Sequence, residues 1–279
     1  MSEPLLMGIV NATPDSFSDP QGAKSLGELV ARAHRLAADG AALIDVGGES
    51  GRTDRPAVSV DEETERVLPL IERLSADGLA VSVDTWREPV ARAALGAGAR
   101  MVNDVSGLSD PAVAGACAAA GASLVITHTR VPPKVKGFPR YDDVVGDVRE
   151  LLLERAAVAL ERGVDDAALL FDPGLDLGKS PAESIELLRR LPELADLNRP
   201  LLVSVSRKDF VGALTERAPA GRDAGSLAAL GAAAAGGAAV LRVHDVAGAR
   251  DYLVVRAALR GRGAAGDLRL SDELRREAV

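Results

Sequence analysis

Short apolar runs alternate along the chain with longer segments in which apolar residues recur at helical spacing. The apolar runs are Leu5–Val10, Ala41–Val46, Leu79–Val83, Arg100–Val102, Ser123–Thr127, Ala167–Phe171, Leu201–Val205 and Ala238–Val243. The segments between them, with charged residues between the apolar positions, include Leu26–Asp39, Val60–Ser75 and Ala182–Leu191. Continuous apolar strands that alternate with helices predict a parallel sheet buried on both faces.

Glycines fall between each helical segment and the next strand, where a helix commonly ends in a left-handed residue. They are Gly40, Gly78, Gly98, Gly121, Gly163 and Gly237. Eight similar repeats favour an α/β protein of the closed (β/α)8 TIM-barrel type, and the alternative is a doubly wound open sheet. The 279 residues fit one such domain. The charged segment after about residue 260 is predicted to be a mobile tail that ends in a short helix at Ser271–Glu277.

Each apolar run stops at or next to a polar residue. These residues are Asn11, Asp45, Asp84, Asn103, His128, Asp172, Ser206, Arg242 and His244. In a TIM barrel the carboxyl ends of the strands surround the active site, so polar groups there usually take part in function. Any one of them could instead cap a helix. A polar residue at every strand end is better explained by an active site.

Composition narrows the class of protein. A net charge of −8 argues against a nucleic-acid partner, because a phosphate backbone requires a basic surface. Cys117 is the only cysteine, so an intrachain disulfide is excluded and a reducing compartment is expected. The first residues lack the basic and apolar regions of a signal peptide, and no run reaches the roughly 20 apolar residues of a membrane span. We therefore expect a cytoplasmic protein without a membrane partner.

Seven segments, in chain order and each near a strand end, carry a resemblance to a known family. They are Met7–Asp19, Ile44–Ser50, Val83–Thr85, Val102–Asp104, Asp172–Gly174, Ser206–Lys208 and Arg242–His244. Together they resemble the signatures of the dihydropteroate synthases. The resemblance implies a transferase that joins 4-aminobenzoate to 6-hydroxymethyl-7,8-dihydropterin diphosphate and releases pyrophosphate. It also implies a TIM barrel and a homodimer.

The resemblance assigns the pterin ring to four residues. Asp172 would accept the two adjacent N–H groups of the pyrimidine edge, and Asp84 and Asn103 would bind other ring nitrogens. Lys208 would donate to the ring carbonyl and to N5, which makes it a catalytic candidate as well. His128, at the end of the fifth strand, either lines this pocket or makes a structural hydrogen bond.

The diphosphate is expected at the end of the last strand. Arg242 and His244 alternate there and so point the same way, which suits a clamp for an anion. Both are candidate catalytic residues that would stabilise the leaving diphosphate, and Asn11 would ligate Mg²⁺ through its amide oxygen. Alternatively, Arg242 pairs with a neighbouring acid at the rim. No covalent enzyme intermediate is expected.

Two loops would complete the acceptor site by the same resemblance. The first, Ala12–Gly27, contributes candidates at Thr13, Asp15, Ser16 and Phe17. In the second, Gly47–Val58, the family pattern Ser-Thr-Arg-Pro is interrupted by three extra residues, so either Arg52 or Arg55 could be the family arginine. Ser206 and Asp209 would also lie near the acceptor.

Some of these positions depart from the family pattern. Asp209 replaces a common serine and would repel a carboxylate ligand unless it turns away to cap the next helix, and Asp176 replaces a common glycine. Two other functions therefore stay open: a pterin-binding paralogue that is non-catalytic or uses another acceptor, and a pterin-dependent methyltransferase. The clamp disfavours the methyltransferase, because a methyl donor brings no diphosphate. The altered second loop also suggests reduced affinity for sulfonamides, as a hypothesis.

Overall fold

The computed structural model describes residues 3–13, 25–51, 53–262, 269–270, 273 and 275. Its eight strands are β1 (Leu5–Asn11), β2 (Leu43–Gly47), β3 (Val81–Asp84), β4 (Met101–Asp104), β5 (Ser123–Thr127), β6 (Leu169–Asp172), β7 (Leu201–Ser204) and β8 (Ala238–Val243). Each strand pairs in parallel with the next, and β8 pairs with β1 to close the barrel. The predicted TIM barrel is confirmed, and the alternative of an open sheet is wrong.

Helices connect successive strands around the barrel. They are α1 (Leu26–Ala38), α2 (Val60–Ala76), α3 (Glu88–Gly96), α4 (Ala112–Ala120), α5 (Val144–Glu161), α6 (Pro181–Arg189), α7 (Asp209–Thr215), α8 (Asp223–Ala235) and α9 (Val246–Leu259). Short 3₁₀ helices lie at Asp166–Ala168, Leu191–Leu197 and Pro219–Gly221. None of the helices in the described ranges is long and apolar enough to cross a membrane. The predicted helix at Ser271–Glu277 falls largely outside the described residues.

Local sequence sets where these helices begin and end. Ser25 and Ser180 cap α1 and α6, and in each case a glutamate three residues later completes a capping box. The six glycines predicted to end helices all have positive φ, between 62° and 114°. Because a side chain at such an angle would be strained, glycine allows the chain to turn from each helix into the next strand.

The interior of the barrel is a small apolar layer. Its buried side chains are Met7, Met101, Val125, Leu170, Leu202 and Val240. A larger cluster fills the space between the strands and the surrounding helices. Successive side chains on a strand point to opposite faces, so residues two positions beyond the inner layer point into the barrel again, nearer its carboxyl end. That second inward layer contains the polar residues of the site.

Candidate active site

The second inward layer is polar although it lies directly above an apolar one. Asn103 follows Met101 on β4, Asp172 follows Leu170 on β6, and Arg242 follows Val240 on β8, each two residues later. Asn103 is 1% exposed and Asp172 is 5% exposed. Burial of polar groups is costly unless they find partners, so this layer must either pair internally or receive a ligand.

Arg242 is the centre of the internal pairing. Its Nε donates to Asp45 Oδ2 at 2.6 Å, and its Nη2 donates to Asp84 Oδ2 at 2.7 Å. The amide of Asn103 donates to the same Asp45 oxygen at 3.1 Å. The structure thus brings together Asp84, Asn103 and Arg242, and it adds Asp45, a strand-end residue to which no role was assigned. The alternative of an arginine paired with a neighbouring acid is what the structure shows.

Burial raises the pKa values of two carboxyl groups in this polar layer. It raises the pKa of Asp84 to about 7, and the positive charge of Arg242 opposes this rise only in part. Burial also raises the pKa of Asp172, against the hydrogen bond from the Gly174 N–H, which reaches Asp172 Oδ1 at 2.7 Å. Two buried acceptors, Asp45 Oδ1 and Asn103 Oδ1, have no hydrogen-bond partner within the described ranges. Such atoms favour a polar guest that brings N–H donors.

Asn11 ends β1 beside this cluster. A Cβ atom added at Gly47 would lie 3.5 Å from Asp84 Cβ and 3.7 Å from Asn11 Oδ1, so glycine keeps a gap between the two side chains. Amide and carboxylate oxygens are the ligands that Mg²⁺ prefers, so the donor atoms here fit that ion. In the described part of the chain no group of three or more His, Cys, Asp or Glu residues could hold a metal. A metal at Asn11 would therefore need other ligands, such as water or substrate oxygens.

His244 follows β8 and is oriented by Ser206. The Ser206 hydroxyl accepts the backbone N–H of His244 at 3.3 Å and lies 3.0 Å from its Nδ1, to which it can donate. This arrangement leaves the proton of a neutral imidazole on Nε2. Burial, followed by the charges of Arg207 and Arg242, lowers the pKa of His244 to about 3. His244 is therefore neutral and can donate from Nε2. Ser206, which was predicted to lie near the acceptor, contacts His244.

The turn between β7 and α7 carries Lys208 and Asp209. Lys208 Nζ donates to the Leu175 carbonyl at 2.8 Å, and the Asp209 carboxylate accepts from Arg222 at 2.9 Å. Arg222 also donates to the carbonyls of Arg207 and Lys208. The Asp209 side chain is 82% exposed. Asp209 thus lies at the first position of α7 and pairs with Arg222, without the capping hydrogen bond to the helix that the sequence suggested. Its orientation toward the acceptor stays a prediction.

The second loop is held at both ends by cations from neighbouring segments. Arg66 donates to the Gly48 carbonyl at 2.9 Å, and Lys134 donates to the Ser50 carbonyl at 2.8 Å. Arg87 pairs with Glu49 at 2.6 Å and donates to the Val58 carbonyl at 3.1 Å. The ends of the loop are therefore fixed to the barrel.

Several predicted loop residues lie outside the described residues, namely Asp15, Ser16, Phe17 and Arg52. Thr13, just beyond β1, and Arg55, in the second loop, are half-buried. The assignment of either arginine to the acceptor stays a prediction.

The chain is similar to proteins of known function over most of its length. The family model described as pterin binding enzyme matches residues 7–244. The dihydropteroate synthase of Escherichia coli (strain K12) is 41% identical over 248 residues, which cover 88% of each chain. That of Mycobacterium leprae is 42% identical over 261 residues, 90% of this chain and 91% of the relative.

Solved structures agree with these relatives. The dihydropteroate synthase of Xanthomonas albilineans with 4-aminobenzoic acid has a TM-score of 0.87 and 46% identity, over 94% of this chain and 95% of that one. The same enzyme in complex with 7,8-dihydropteroate has a TM-score of 0.84 and 45% identity, over the same shares of the two chains. The chain belongs to the family of pterin-binding enzymes.

Proposed function

We propose that the protein is a dihydropteroate synthase, which joins 6-hydroxymethyl-7,8-dihydropterin diphosphate to 4-aminobenzoate in folate biosynthesis. The observation that carries the proposal is the buried polar layer at the carboxyl end of the barrel, with acceptors on Asp45 and Asn103 that lack donors in the described part of the chain. The Xanthomonas albilineans enzyme, which shares this fold, has been solved with 4-aminobenzoic acid and with 7,8-dihydropteroate. A pterin ring brings the N–H donors that this layer requires.

The pterin would enter with its pyrimidine edge toward Asp172. This carboxylate is buried at the end of β6, where it can accept two parallel N–H donors from the ring. Asn103 offers an acceptor and a donor to the ring nitrogens, and Asp84 lies beside it in register on β3. Lys208 Nζ donates to the carbonyl of Leu175, which lies in the loop after β6, and a change of rotamer would let it donate instead to the ring carbonyl and N5.

The diphosphate would lie between Asn11, Arg242 and His244. A guanidinium has more N–H donors than the two that Arg242 uses on Asp45 and Asp84, so it can bind phosphate oxygens while it keeps those pairs. His244 would donate from Nε2. Asn11 would hold Mg²⁺, which supplies charge stabilisation to the leaving group when it is bound. The carbon–oxygen bond breaks, the arylamine nitrogen bonds to the methylene carbon, and the arylamine loses a proton as pyrophosphate leaves.

Two further properties belong to the same proposal. The single cysteine, Cys117, is buried in α4, which suits a reducing compartment such as the cytoplasm. A homodimer follows the pattern of the family. Neither property changes the chemistry proposed for one barrel.

A release assay for pyrophosphate tests this function. Purified protein should release pyrophosphate only when dihydropterin diphosphate, Mg²⁺ and 4-aminobenzoate are all present. Calorimetric binding of the pterin without product from any arylamine in a panel would support the non-catalytic paralogue. Transfer of a methyl group from a methylated reduced folate to a corrinoid, with no pyrophosphate released from the pterin diphosphate, would support the methyltransferase.

A further inference from the structure

Lys179 is a buried cation that the proposed chemistry does not use. It lies just before α6, is 1% exposed and is one of the largest fully buried side chains described. Its Nζ lies 2.7 Å from His128 Nδ1, 2.9 Å from the Gly174 carbonyl and 3.2 Å from the Leu177 carbonyl. The His128 carbonyl is a fourth neighbour, at 3.3 Å. Lys179 therefore joins the end of β5 to the loop that follows β6.

All four neighbours of this nitrogen act as acceptors. His128 Nε2 lies 2.7 Å from the Asp147 carboxylate, which can only accept, so the imidazole proton is on Nε2 and Nδ1 carries a lone pair. Burial and the charge of Lys179 lower the pKa of His128 to about 3, which keeps the ring neutral. An ammonium group has three hydrogens for these acceptors. A neutral amine has only two, and its lone pair would face another lone pair.

The loop held by Lys179 carries groups of the pterin site. His128 N–H donates to the Asp172 carbonyl at 2.8 Å, and Gly174 N–H donates to the Asp172 carboxylate at 2.7 Å. A side chain at Gly174, where φ is 69°, would collide with the His128 carbonyl, so the loop is in close contact with β5. Leu175, the next residue, accepts from Lys208. The position of the loop thus sets the orientation of both Asp172 and Lys208.

We propose that Lys179 is a positioning residue for pterin binding, whose ammonium group ties the β6–α6 loop to His128 and so holds Asp172 and Lys208 in the orientation that receives the pterin ring. This inference rests on the proposed function, because it takes the ligand to be a pterin. Lys179 itself does not touch the ligand. Loss of its proton removes one of these hydrogen bonds and leaves the lone pair of the amine facing the lone pair of that acceptor.

The proton of Lys179 is lost near neutral pH. Burial lowers the pKa of Lys179 to about 7, opposed first by the Asp172 carboxylate. The other charged groups around it are Lys208, which favours the neutral amine, and Asp147 and Glu183, which favour the ammonium. Pterin affinity should therefore depend on pH through Lys179.

Calorimetry with 6-hydroxymethylpterin tests the proposal through Lys179→Met, which keeps the apolar stem and removes the charge. Lys136→Met, on the exposed part of the β5–α5 connection, is the matched control. Near pH 6 the wild type should bind the pterin about tenfold more tightly than Lys179→Met does. Near pH 9, where Lys179 of the wild type is neutral, the two affinities should agree within about twofold. Taking the ratio of the two affinities cancels the titration of Asp84 and of the pterin itself, because both proteins share them.

A second measurement uses only the wild-type protein, so it remains valid if Lys179→Met does not fold. Binding and protonation are reciprocally linked, so a tenfold preference for the ammonium form means that the pterin raises the pKa of Lys179 by about one unit. The ¹³Cε resonance of Lys179, titrated with and without 6-hydroxymethylpterin, reports that shift. An unchanged Lys179 titration, or an affinity ratio that is the same near pH 6 and pH 9, overturns the proposal. Wild-type protein that binds no pterin at either pH overturns the proposed function and this inference with it.

Discussion

Arg242 shows how one residue ties the active site to the stability of the barrel. It links β8 to Asp45 on β2 and Asp84 on β3, and it places a positive charge beside these two neighbouring carboxyl groups. Burial lowers the pKa of Arg242, but the two carboxylates more than offset this effect and raise it. Arg242 therefore remains charged and can serve both the aspartates and an incoming anion.

Arg242→Ala should weaken pyrophosphate binding far more than binding of 6-hydroxymethylpterin. It should also destabilise the fold by about 3 kcal/mol, because it leaves buried carboxylates without their counter-charge. Calorimetry with pyrophosphate and with 6-hydroxymethylpterin measures the change in affinity, and denaturant unfolding measures the change in stability. Arg242→Lys, which keeps the positive charge, is the control. Equal losses of affinity for both ligands would remove the diphosphate role.

Asp84 should make stability depend on pH in an identifiable window. Its pKa is raised from 3.8 to about 7 on folding, so the folded chain holds this proton more tightly than the unfolded chain does. The resulting stabilisation is fully present below about pH 4 and is lost as the pH rises through about 7. The free energy of unfolding of the wild type minus that of Asp84→Asn should fall across this window and then stay level. A difference that is constant with pH would show that Asp84 titrates as it does in the unfolded chain. Glu65→Gln, on the exposed side of α2, is the control.

The sequence predicted many site residues because polar side chains at strand ends stand out against apolar runs. Asp84, Asn103 and Arg242 were predicted in this way, and the structure brings them together. The pairing of Arg242 with Asp45 could not be predicted, since these residues are 197 positions apart and meet only through barrel closure. Lys179 gave no signal, because a lysine after a glycine in a loop is usually exposed.

At the scale of elements, the turn from β7 into α7 depends on Arg222. This side chain binds the carbonyls of Arg207 and Lys208 and the carboxylate of Asp209, and its own exposure is 12%. The Asp176 carboxylate accepts the backbone N–H of Asp209 and ties the same turn to the β6–α6 loop. Asp176 and Asp209, which both depart from the family pattern, therefore contact each other.

Arg222→Met should lower kcat/KM at least about tenfold, because it releases the backbone that positions Lys208. Asp209→Ser should change the KM for 4-aminobenzoate by less than about threefold, since an exposed ion pair contributes little energy. Steady-state kinetics of both variants compare the loss of Arg222 with the loss of its exposed partner, Asp209. A large gain in 4-aminobenzoate affinity in Asp209→Ser would mean that the carboxylate does face the acceptor.

Element boundaries were predictable within a few residues, with a systematic difference. The bounds of β5 and β8 match the apolar runs, whereas β1, β3 and β6 continue through the polar residue that ends each run, namely Asn11, Asp84 and Asp172. A polar side chain that points into the barrel leaves its backbone in the parallel ladder, so polarity alone does not mark the end of a strand.

At the scale of the whole molecule, the site draws on strands all around the barrel. Asn11, Asp45, Asp84, Asn103, Asp172 and Arg242 come from six of the eight strands. Barrel closure alone brings these residues together, so a ligand that contacts them stabilises the entire sheet rather than one part of it.

Saturation with 6-hydroxymethylpterin should therefore shift the whole unfolding transition. At a ligand concentration of about one hundred times Kd, the shift should be close to 2.7 kcal/mol. Chemical unfolding followed by both fluorescence and circular dichroism should show coincident curves with and without ligand. Curves that separate only when ligand is present would mean that the ligand stabilises one segment alone.

The most direct test of the central claim is the identity of the product. Purified protein mixed with 6-hydroxymethyl-7,8-dihydropterin diphosphate, Mg²⁺ and 4-aminobenzoate should form 7,8-dihydropteroate, followed by mass spectrometry. Asp172→Asn, with an unchanged circular dichroism spectrum, should form almost none, because an amide cannot accept both N–H groups of the pterin edge. Pterin diphosphate that is bound or hydrolysed without dihydropteroate, or product formation at the wild-type rate by Asp172→Asn, would contradict the account.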